Sequence, residues 1–293
     1  MFKLKGAIPP MLTPFNEHGE IDVYVLEKLI DFLKDKVHGL FINGSYGSGA
    51  MMSIEERKKV AEITVKRVGG AITVVNHVGT TNTKHSVELA KHAEAIGCDA
   101  VSSVGPYYYK HTDDAICGFF TALKQATKLP VYLYHNPGFS GYEITEQTIS
   151  NLCNEGVING IKDATFNIIT HATYHRRFGS KIDIVLGTEA MLLAASPLGT
   201  KAFIPGLANA FPEICVKLYN EAMDGNYEEA RITQFIINEM REIMYLAKST
   251  QLAIYAMLSI RGIIKSYPRA PFIPASSEEV AAIRSRLQAL GVI

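Results

Sequence analysis

The sequence predicts an α/β fold class, a (β/α)8 TIM barrel with a C-terminal three-helix extension. Eight short apolar runs alternate with helix-length amphipathic segments, which is the pattern of repeated strand–helix units. Several of these runs are nearly all apolar, as expected for parallel strands that are covered on both faces. No Gly-rich dinucleotide fingerprint follows the first run, which disfavours the alternative of a doubly wound open sheet.

Each predicted strand is a short run bounded by turn residues, and a helical segment follows it. In chain order the eight runs are GAIPPML, GLFING, AITVVNHV, AVSSVGP, PVYLYHN, VINGIKD, IDIVLGT and KAFIPGL.

Helix boundaries are marked by capping residues between these runs. Ser53 and Glu56 have the spacing of a capping box. Gly97 is a candidate C-cap, and Thr145 is a candidate N-cap for a helix that stops by Gly156. Each pair of neighbouring strands is therefore predicted to be joined by a helix.

The strand signal disappears after about residue 225, and three helices are predicted in its place. They lie in NYEEARITQFIINEMREIMYLAKS, TQLAIYAMLSIRGI and SSEEVAAIRSRLQALGVI. The Pro-rich stretch SYPRAPFIPA between the last two is predicted to be extended. The predicted domains are therefore a barrel catalytic domain over residues 1–224 and a helical extension over residues 225–293.

Composition excludes several classes of function. The 293 residues carry 29 basic and 29 acidic side chains and no basic stripe, so no nucleic-acid partner is predicted. No apolar run is long enough to span a membrane. Pro9 and Pro10 come too early for a signal-peptide core, and the predicted location is cytoplasmic.

No metal site is predicted. The four cysteines are not spaced as metal ligands and are expected to be unpaired thiols in a reducing cytoplasm. His171 and His175 are four residues apart and would share a helix face, as two ligands on a helix do. Without a third ligand nearby, two surface histidines are the favoured interpretation.

The most informative strand end is that of the sixth run, where VINGIKDAT places Lys162 after an apolar stretch. A partly desolvated lysine has a lowered pKa and supplies the free amine that attacks a carbonyl to form a Schiff base. The alternative is a structural lysine paired with Asp163 or Glu189. Spacing alone leaves these two interpretations equal.

Tyr134 ends the neighbouring fifth strand and favours the catalytic interpretation. A Schiff-base enzyme needs a proton donor and acceptor beside its lysine, and a tyrosine serves in this role. The alternative is a core aromatic, and Tyr132, on the same face of YLYH, is the better candidate for that. After the second strand, the small residues of NGSYGSG surround Ser45 and Tyr46, and their backbone N–H groups can bind the carboxylate of a 2-oxo acid.

Five motifs in order, TPF, GSYG, PYYY, YHNPGFSG and GIKDAT, make the chain resemble one known family. It is similar, from Ala7 to Asn209, to the dihydrodipicolinate synthase / N-acetylneuraminate lyase family of class I pyruvate-dependent aldolases. The resemblance implies that Lys162 forms the Schiff base with a 2-oxo acid and that Tyr134 is the acid and base. It implies that Ser45 relays protons from that tyrosine.

The resemblance also implies further contacts and an assembly. The Ser45 and Tyr46 amides would hold the substrate carboxylate, and the Ile204 carbonyl would lie near the lysine. Tyr108 would reach into the site of a neighbouring subunit, which implies a homotetramer built as a dimer of dimers. No metal or organic cofactor is implied, because the imine serves as the electron sink.

Departures from the family pattern bear on the substrate. Tyr46 and Ser48 stand where the family loop has a second hydroxyl residue and a glutamate. Phe139 stands where the lysine-pathway synthases have the arginine that binds the aldehyde carboxylate, and a phenyl ring cannot pair with a carboxylate. This disfavours aspartate semialdehyde as the aldehyde partner.

The sialic acid lyases resemble the chain in lacking that arginine, but several of their sugar-binding positions differ. After strand seven the run GTEA supplies Gly187 and Glu189, and Glu189 either binds a substrate hydroxyl or forms an ion pair at the barrel rim. Gly206 replaces a serine after strand eight. Ala164 replaces a threonine after the lysine, with Thr165 next to it.

The sequence therefore predicts a Schiff-base aldolase or lyase that acts on pyruvate or a pyruvate-derived 2-oxo sugar acid, similar to N-acetylneuraminate lyase. A dehydratase of a 3-deoxy-2-oxo sugar acid is the next interpretation, and dihydrodipicolinate synthase the third. The rival from another class is a non-catalytic 2-oxo acid binding protein.

Overall fold

The computed structural model describes residues 2–293, and its eight strands form a parallel sheet that closes into a barrel. Neighbouring strands pair in the order β1-β8-β7-β6-β5-β4-β3-β2. The seam between the first two strands is closed just beyond β1, where Phe41 N–H donates to the Pro9 carbonyl and Met11 N–H donates to the Phe41 carbonyl, both at 2.9 Å. This confirms the predicted (β/α)8 TIM barrel.

Every strand falls within the run predicted for it. The strands are β1 (Gly6–Ala7), β2 (Gly39–Ile42), β3 (Thr73–His77), β4 (Ala100–Val104), β5 (Val131–His135), β6 (Gly160–Asp163), β7 (Asp183–Leu186) and β8 (Ala202–Phe203).

Helices surround this sheet and extend beyond it. They are α1 (Val23–Lys34), α2 (Ile54–Val68), α3 (Thr83–Ile96), α4 (Asp113–Ala126), α5 (Pro137–Ser140), α6 (Glu146–Asn154), α7 (Ile168–Phe178), α8 (Leu192–Ala195), α9 (Pro212–Met223), α10 (Tyr227–Met244), α11 (Thr250–Ile260) and α12 (Ser277–Ala289).

The predicted caps start and end these helices. Ser53 and Glu56 form both hydrogen bonds of the capping box at the start of α2. Gly97 ends α3 at φ +88°, a left-handed conformation that favours glycine. The Thr145 hydroxyl accepts from the Thr148 N–H at the start of α6. Local side-chain chemistry thus fixes where the helices enter and leave the barrel.

The core has two layers because side chains alternate along each strand. The interior of the barrel is filled by a small cluster that includes Phe41, Tyr132 and Tyr134. Leu133, between the two tyrosines, points the other way and packs in the larger core between sheet and helices. By the same alternation Lys162 points into the barrel and Asp163 points towards α7.

The three predicted C-terminal helices are α10, α11 and α12, and they pack against the barrel. Helix α10 contacts α8 and α9, and α11 contacts both α10 and α12. Tyr255 in α11 donates to the Thr13 carbonyl at 2.8 Å, next to the first strand. The division at residue 225 remains a prediction about domain organisation. Residues of α10 and α11 border the barrel opening.

Candidate active site

A cavity of about 440 Å³ opens where the strands end and the βα loops begin. This is the end of a (β/α)8 barrel that houses binding and chemistry. All but one of the predicted site residues line it, namely Ser45, Tyr46, Tyr134, Phe139, Lys162, Thr165, Gly187, Glu189, Ile204 and Gly206.

Lys162 lies on the floor of this cavity at the end of β6. Its strand register pairs it directly with Tyr134 of β5. The amine lies 3.4 Å from the centroid of the Tyr134 ring and 4.2 Å from that of Phe41. Only 5% of the residue is exposed, and burial lowers the pKa of Lys162, against the opposing effect of the Tyr134 phenol. The lysine is thereby biased towards the neutral amine, which is the nucleophilic form.

Tyr134 is the ionisable partner of this lysine. Burial acts to raise the pKa of Tyr134, but the charge of Lys162 and several hydrogen bonds outweigh it, so that the net pKa lies below the ordinary value. One of these bonds is donated by the Asn136 side-chain amide at 3.1 Å, and others involve Ser45 and Lys162. A phenol with a lowered pKa exchanges a proton more readily near neutral pH.

Asp163 does not pair with Lys162, because it points to the outer face of β6. Its carboxylate lies 2.8 Å from His171 Nδ1, and the other nitrogen of that ring lies 2.8 Å from the Thr200 hydroxyl. His171 is fully buried, so its interpretation as a surface residue was wrong. The same carboxylate accepts from the backbone N–H and the hydroxyl of Thr165, which holds that residue at the cavity wall.

The loop after β2 contributes free donors. Among residues 2–293, the backbone N–H groups of Ser45 and Tyr46 have no hydrogen-bond acceptor. Asn43 and Ser48 flank them with φ values of +58° and +55°, which for non-glycine residues are left-handed and strained. A loop of this shape can direct successive N–H groups at an anion.

Tyr46 lies in the cavity wall and does not point out of the barrel. Its hydroxyl donates to the Thr250 hydroxyl of α11 at 2.9 Å, and burial followed by the charge of Glu189 raises the pKa of Tyr46. Its ring lies where a side chain at position 206 would project. A Cβ at Gly206 would come within 2.7 Å of the Tyr46 oxygen and 2.8 Å of its ring. The large residue at 46 therefore requires the glycine at 206.

Glu189 is held from three directions. The backbone N–H groups of Gly206 and Leu207 donate to its two oxygens at 3.2 and 3.3 Å. Arg241 of α10 forms an ion pair with it at 3.1 Å. Glu189 is 1% exposed and still lines the cavity. Glu189 therefore forms an ion pair and also presents its carboxylate at the cavity wall. The two alternatives considered for this residue are compatible with each other.

Exposed aromatic rings surround the mouth of the cavity. Phe139, Phe166 and Tyr245 line it and are each more than half exposed. Phe166 has φ +56°, which costs roughly 1–3 kcal/mol for a residue with a side chain. Tyr108 does not line this cavity; it is 82% exposed with φ +80° and packs edge-on against Tyr109.

Several further residues that line the cavity were not predicted, among them Asn136, Phe166 and Arg241. Asn136 lies inside the motif YHNPGFSG, two residues after Tyr134. This closeness in sequence could have predicted its contact with Tyr134. Arg241, Tyr245 and Thr250 come from α10 and the start of α11, which follow no barrel strand. No motif in the sequence connects these helices with the strand ends.

Two other kinds of functional element are absent from residues 2–293. No group of three or more His, Cys, Asp or Glu side chains there is arranged to hold a metal ion. None of the helices in the same part of the chain has the length and apolar character needed to cross a bilayer.

Comparison with known proteins is consistent with this geometry. The family model of the dihydrodipicolinate synthetase family matches residues 3–290. A curated relative, 4-hydroxy-tetrahydrodipicolinate synthase of Bartonella bacilliformis, is 30% identical over 99% of this chain and 99% of its own. Among solved structures, a catalytic-lysine mutant of the Ruminococcus gnavus sialic acid aldolase has a TM-score of 0.93 at 27% identity, covering 98% of this chain and 96% of its own.

A third structure is a prophage protein of the same family from Escherichia coli K12, in complex with pyruvate. It has a TM-score of 0.94 at 26% identity and covers 99% of both chains. The fold, the cavity and these matches define a lyase of the class I aldolase type, in which a lysine forms a Schiff base. The chain belongs to the dihydrodipicolinate synthetase family.

Proposed function

We propose that this protein is a class I aldolase that cleaves or forms a hydroxylated 2-oxo sugar acid through a Schiff base at Lys162. One observation carries the proposal: a buried lysine with a lowered pKa lies 3.4 Å from the ring of a tyrosine whose pKa is also lowered, at the end of the barrel that hosts chemistry. A structural lysine would instead have a carboxylate partner, and Asp163 is engaged by His171.

The chemistry starts with attack of the neutral Lys162 amine on the 2-oxo carbon. The carbonyl oxygen takes up two protons and leaves as water, and the nitrogen becomes an iminium. In cleavage, Tyr134 as phenolate removes the proton of the C4 hydroxyl, the C3–C4 bond breaks, and its electron pair flows to the iminium to give an enamine. Protonation at C3 and hydrolysis then release pyruvate. Condensation is the reverse.

The substrate carboxylate binds at the loop after β2 in this proposal. The unpartnered N–H groups of Ser45 and Tyr46 support this, because no acceptor in residues 2–293 competes for them and they are free to donate to an anion. The Ser45 hydroxyl, which contacts Tyr134, passes protons between that phenol and the substrate. Ile204, at the end of β8, contributes the carbonyl near the lysine.

The remainder of the substrate extends towards Thr165, Gly187 and Glu189 in this proposal. Gly187 lines the cavity and lets the ends of β6 and β7 pack closely, since a Cβ there would come within 2.5 Å of the Asp163 carbonyl oxygen. Phe139 also lines the mouth and carries no charge. A hydroxylated, uncharged tail fits this set of groups better than a second carboxylate does.

Dihydrodipicolinate synthase is a second candidate, because curated relatives such as the Bartonella bacilliformis protein carry that activity in their names. It condenses pyruvate with aspartate semialdehyde, which has a carboxylate. Phe139 stands where the resemblance places the arginine for that group, so this candidate ranks lower. A dehydratase of a 3-deoxy-2-oxo sugar acid uses the same iminium and differs in the bond that breaks.

We propose in addition that the protein assembles as a homotetramer in the cytoplasm. The exposed, strained Tyr108 and its neighbour Tyr109 support a subunit contact at that loop, since a non-glycine residue at φ +80° requires a compensating interaction. The four cysteines are all unpaired, as is usual in a reducing compartment. Sedimentation of wild type and Tyr108→Ala tests the assembly, and a monomeric wild type would contradict it.

A substrate panel tests the proposed function. Wild type is incubated with N-acetylneuraminate, with a six-carbon 3-deoxy-2-oxo sugar acid, and with pyruvate plus aspartate semialdehyde. Pyruvate release from a sugar acid is expected, and loss of water without pyruvate release would identify the dehydratase. Preferred consumption of aspartate semialdehyde would identify the synthase. Binding of pyruvate with no turnover in any arm would favour the non-catalytic binding protein.

A further inference from the structure

We infer that Arg241, together with Glu189, is a specificity-determining residue that recognises hydroxyl groups on the tail of the substrate. The inference rests on the proposed function, because it concerns the aldehyde portion of the same 2-oxo acid. It adds a recognition residue from α10, a helix outside the strand–loop units that carry the Schiff-base chemistry.

Arg241 is built into the cavity wall and is not a mobile surface residue. Its side chain is 13% exposed, and it lines the same cavity as Lys162. Its Nη1 lies 3.1 Å from Glu189 Oε1, and Glu189 is fixed in turn by the N–H groups of Gly206 and Leu207. Helix α10 thereby presents a guanidinium to a carboxylate that the loop after β8 holds in place.

The pair has hydrogen-bonding capacity left over. Among residues 2–293 the guanidinium makes no further hydrogen bond beyond its contact with Glu189, whereas a guanidinium carries five N–H donors. Glu189 Oε2 accepts from Gly206 alone and retains a lone pair. Donors and an acceptor therefore lie side by side at the cavity wall. A hydroxyl group, which both donates and accepts, complements such a pair.

The charge of the pair favours a neutral tail over an anionic one. Glu189 already neutralises Arg241, so a second carboxylate at this position would meet the negative charge of Glu189 in a buried setting. Phe139, which also lines the mouth, offers no donor to compensate. The carboxylate of a 2-oxo acid has the separate Ser45 and Tyr46 amides, which leaves the Glu189–Arg241 pair for hydroxyls.

Phe166 orients the guanidinium. The Arg241 Cζ lies 5.7 Å from the centroid of the Phe166 ring, within the range of a cation–π contact. Phe166 itself has φ +56°, a left-handed conformation that is strained for a residue with a side chain. The contact with Phe166 indicates that the orientation of the planar Arg241 guanidinium is important for recognition. A lysine at the same position has no planar group and would not reproduce this contact.

The experiment measures condensation of pyruvate with three aldehydes. Erythrose carries hydroxyls, butanal has the same carbon count without them, and aspartate semialdehyde carries a carboxylate. The variants are Arg241→Gln, Arg241→Lys and the matched control Arg231→Gln. Arg231 lies on the same helix, is paired with the exposed Glu228, and does not line the cavity. Borohydride trapping with pyruvate alone is run on every variant.

For wild type, kcat/KM with erythrose is expected to exceed that with butanal. Arg241→Gln is expected to lower this ratio about tenfold or more, through KM more than kcat, while pyruvate trapping stays unchanged. Arg231→Gln is expected to match wild type. Arg241→Lys is expected to restore only part of the ratio. If Arg241→Gln fails to fold, the erythrose-to-butanal ratio measured for Arg241→Lys tests the inference instead.

Three results would overturn the inference. One is an unchanged erythrose-to-butanal ratio in Arg241→Gln. Another is a loss confined to aspartate semialdehyde, which would make Arg241 a carboxylate receptor. The third is loss of pyruvate trapping in the folded Arg241 variants, which would place the residue at the wrong end of the substrate. Absence of trapping in wild type is a separate failure, because it removes the proposed function and this inference with it.

Discussion

The cavity has two walls of different origin. The barrel wall consists of strand ends and the loops after them, and it carries Lys162, Tyr134 and Ser45. The helical wall comes from α10 and α11 and carries Arg241 and Thr250. Lys162 and Tyr134 on the barrel wall both have lowered pKa values, whereas Arg241 and Thr250 on the helical wall are engaged in an ion pair and a hydrogen bond.

In the proposed function, this difference separates the residues of the reaction from the residues that select the aldehyde. The strand register fixes Tyr134 opposite Lys162, so the reacting pair depends on the barrel itself. The helical wall meets the barrel wall at Tyr46, whose hydroxyl donates to Thr250, and at Glu189, which pairs with Arg241. Substitutions on the barrel wall are therefore expected to abolish the reaction, and those on the helical wall to change which aldehyde is used.

The largest effect is expected from removing the phenol of the barrel wall. Tyr134→Phe is expected to lower kcat by roughly 10²- to 10⁴-fold, because a positioned acid and base contributes about that much. The measurement is pyruvate release from the best sugar acid of the panel. Tyr132→Phe is the matched control, since Tyr132 donates to Asp183 inside the barrel and does not line the cavity. Equal losses in both variants would contradict the assignment.

A smaller effect is expected at the junction of the two walls. Gly206→Ala places a methyl group against Tyr46 and is expected to lower kcat/KM about tenfold, since overpacking costs roughly 1–3 kcal/mol. The control is Gly118→Ala in α4, where a Cβ meets nothing within 4 Å. That control is expected to stabilise the protein by roughly 0.5–1 kcal/mol, measured by denaturant unfolding, with unchanged activity. Full activity in Gly206→Ala would show that Tyr46 is free to move.

The pH dependence sharpens the description of the barrel wall. Lys162 reacts as the neutral amine, so adduct formation with pyruvate rises with pH through the pKa of Lys162. Burial lowers this pKa and Tyr134 raises it, so loss of the phenol lowers it further. In Tyr134→Phe the rising limb of the trapping rate is therefore expected to move to lower pH, although the rate itself is smaller. A shift to higher pH would contradict the proposed coupling of the two groups.

The barrel wall was largely predictable from the sequence because its signals are local. Apolar runs with turn residues mark each strand, and the alternation along YLYH and GIKD decides which side chains point inward. These two signals together place Lys162 and Tyr134 on the inner face of neighbouring strands, next to each other. The direction of Tyr46 was not predictable, because it depends on the space left at Gly206 and on a partner, Thr250, 204 residues away.

The helical wall was not predictable, because nothing local connects α10 with the strand ends. Arg241 meets Glu189 only through the packing of α10 on the barrel. His171 was misinterpreted for a different reason. His171, Tyr174 and Phe178 form the buried face of α7, a helical spacing that was present in the sequence and outweighs the polarity of histidine. The partner of His171, Asp163, points outward by the same alternation that points Lys162 inward.

The most direct test of the account is to locate the covalent adduct. Wild type, Lys162→Ala and the control Lys201→Ala are incubated with pyruvate, reduced with borohydride and mapped by peptide mass spectrometry. Lys201 is exposed and precedes a strand, whereas Lys162 ends one. The account predicts a reduced pyruvate adduct on Lys162 in wild type and in Lys201→Ala, and none in Lys162→Ala. An adduct on another lysine, or no adduct while a known class I aldolase is labelled in parallel, would contradict it.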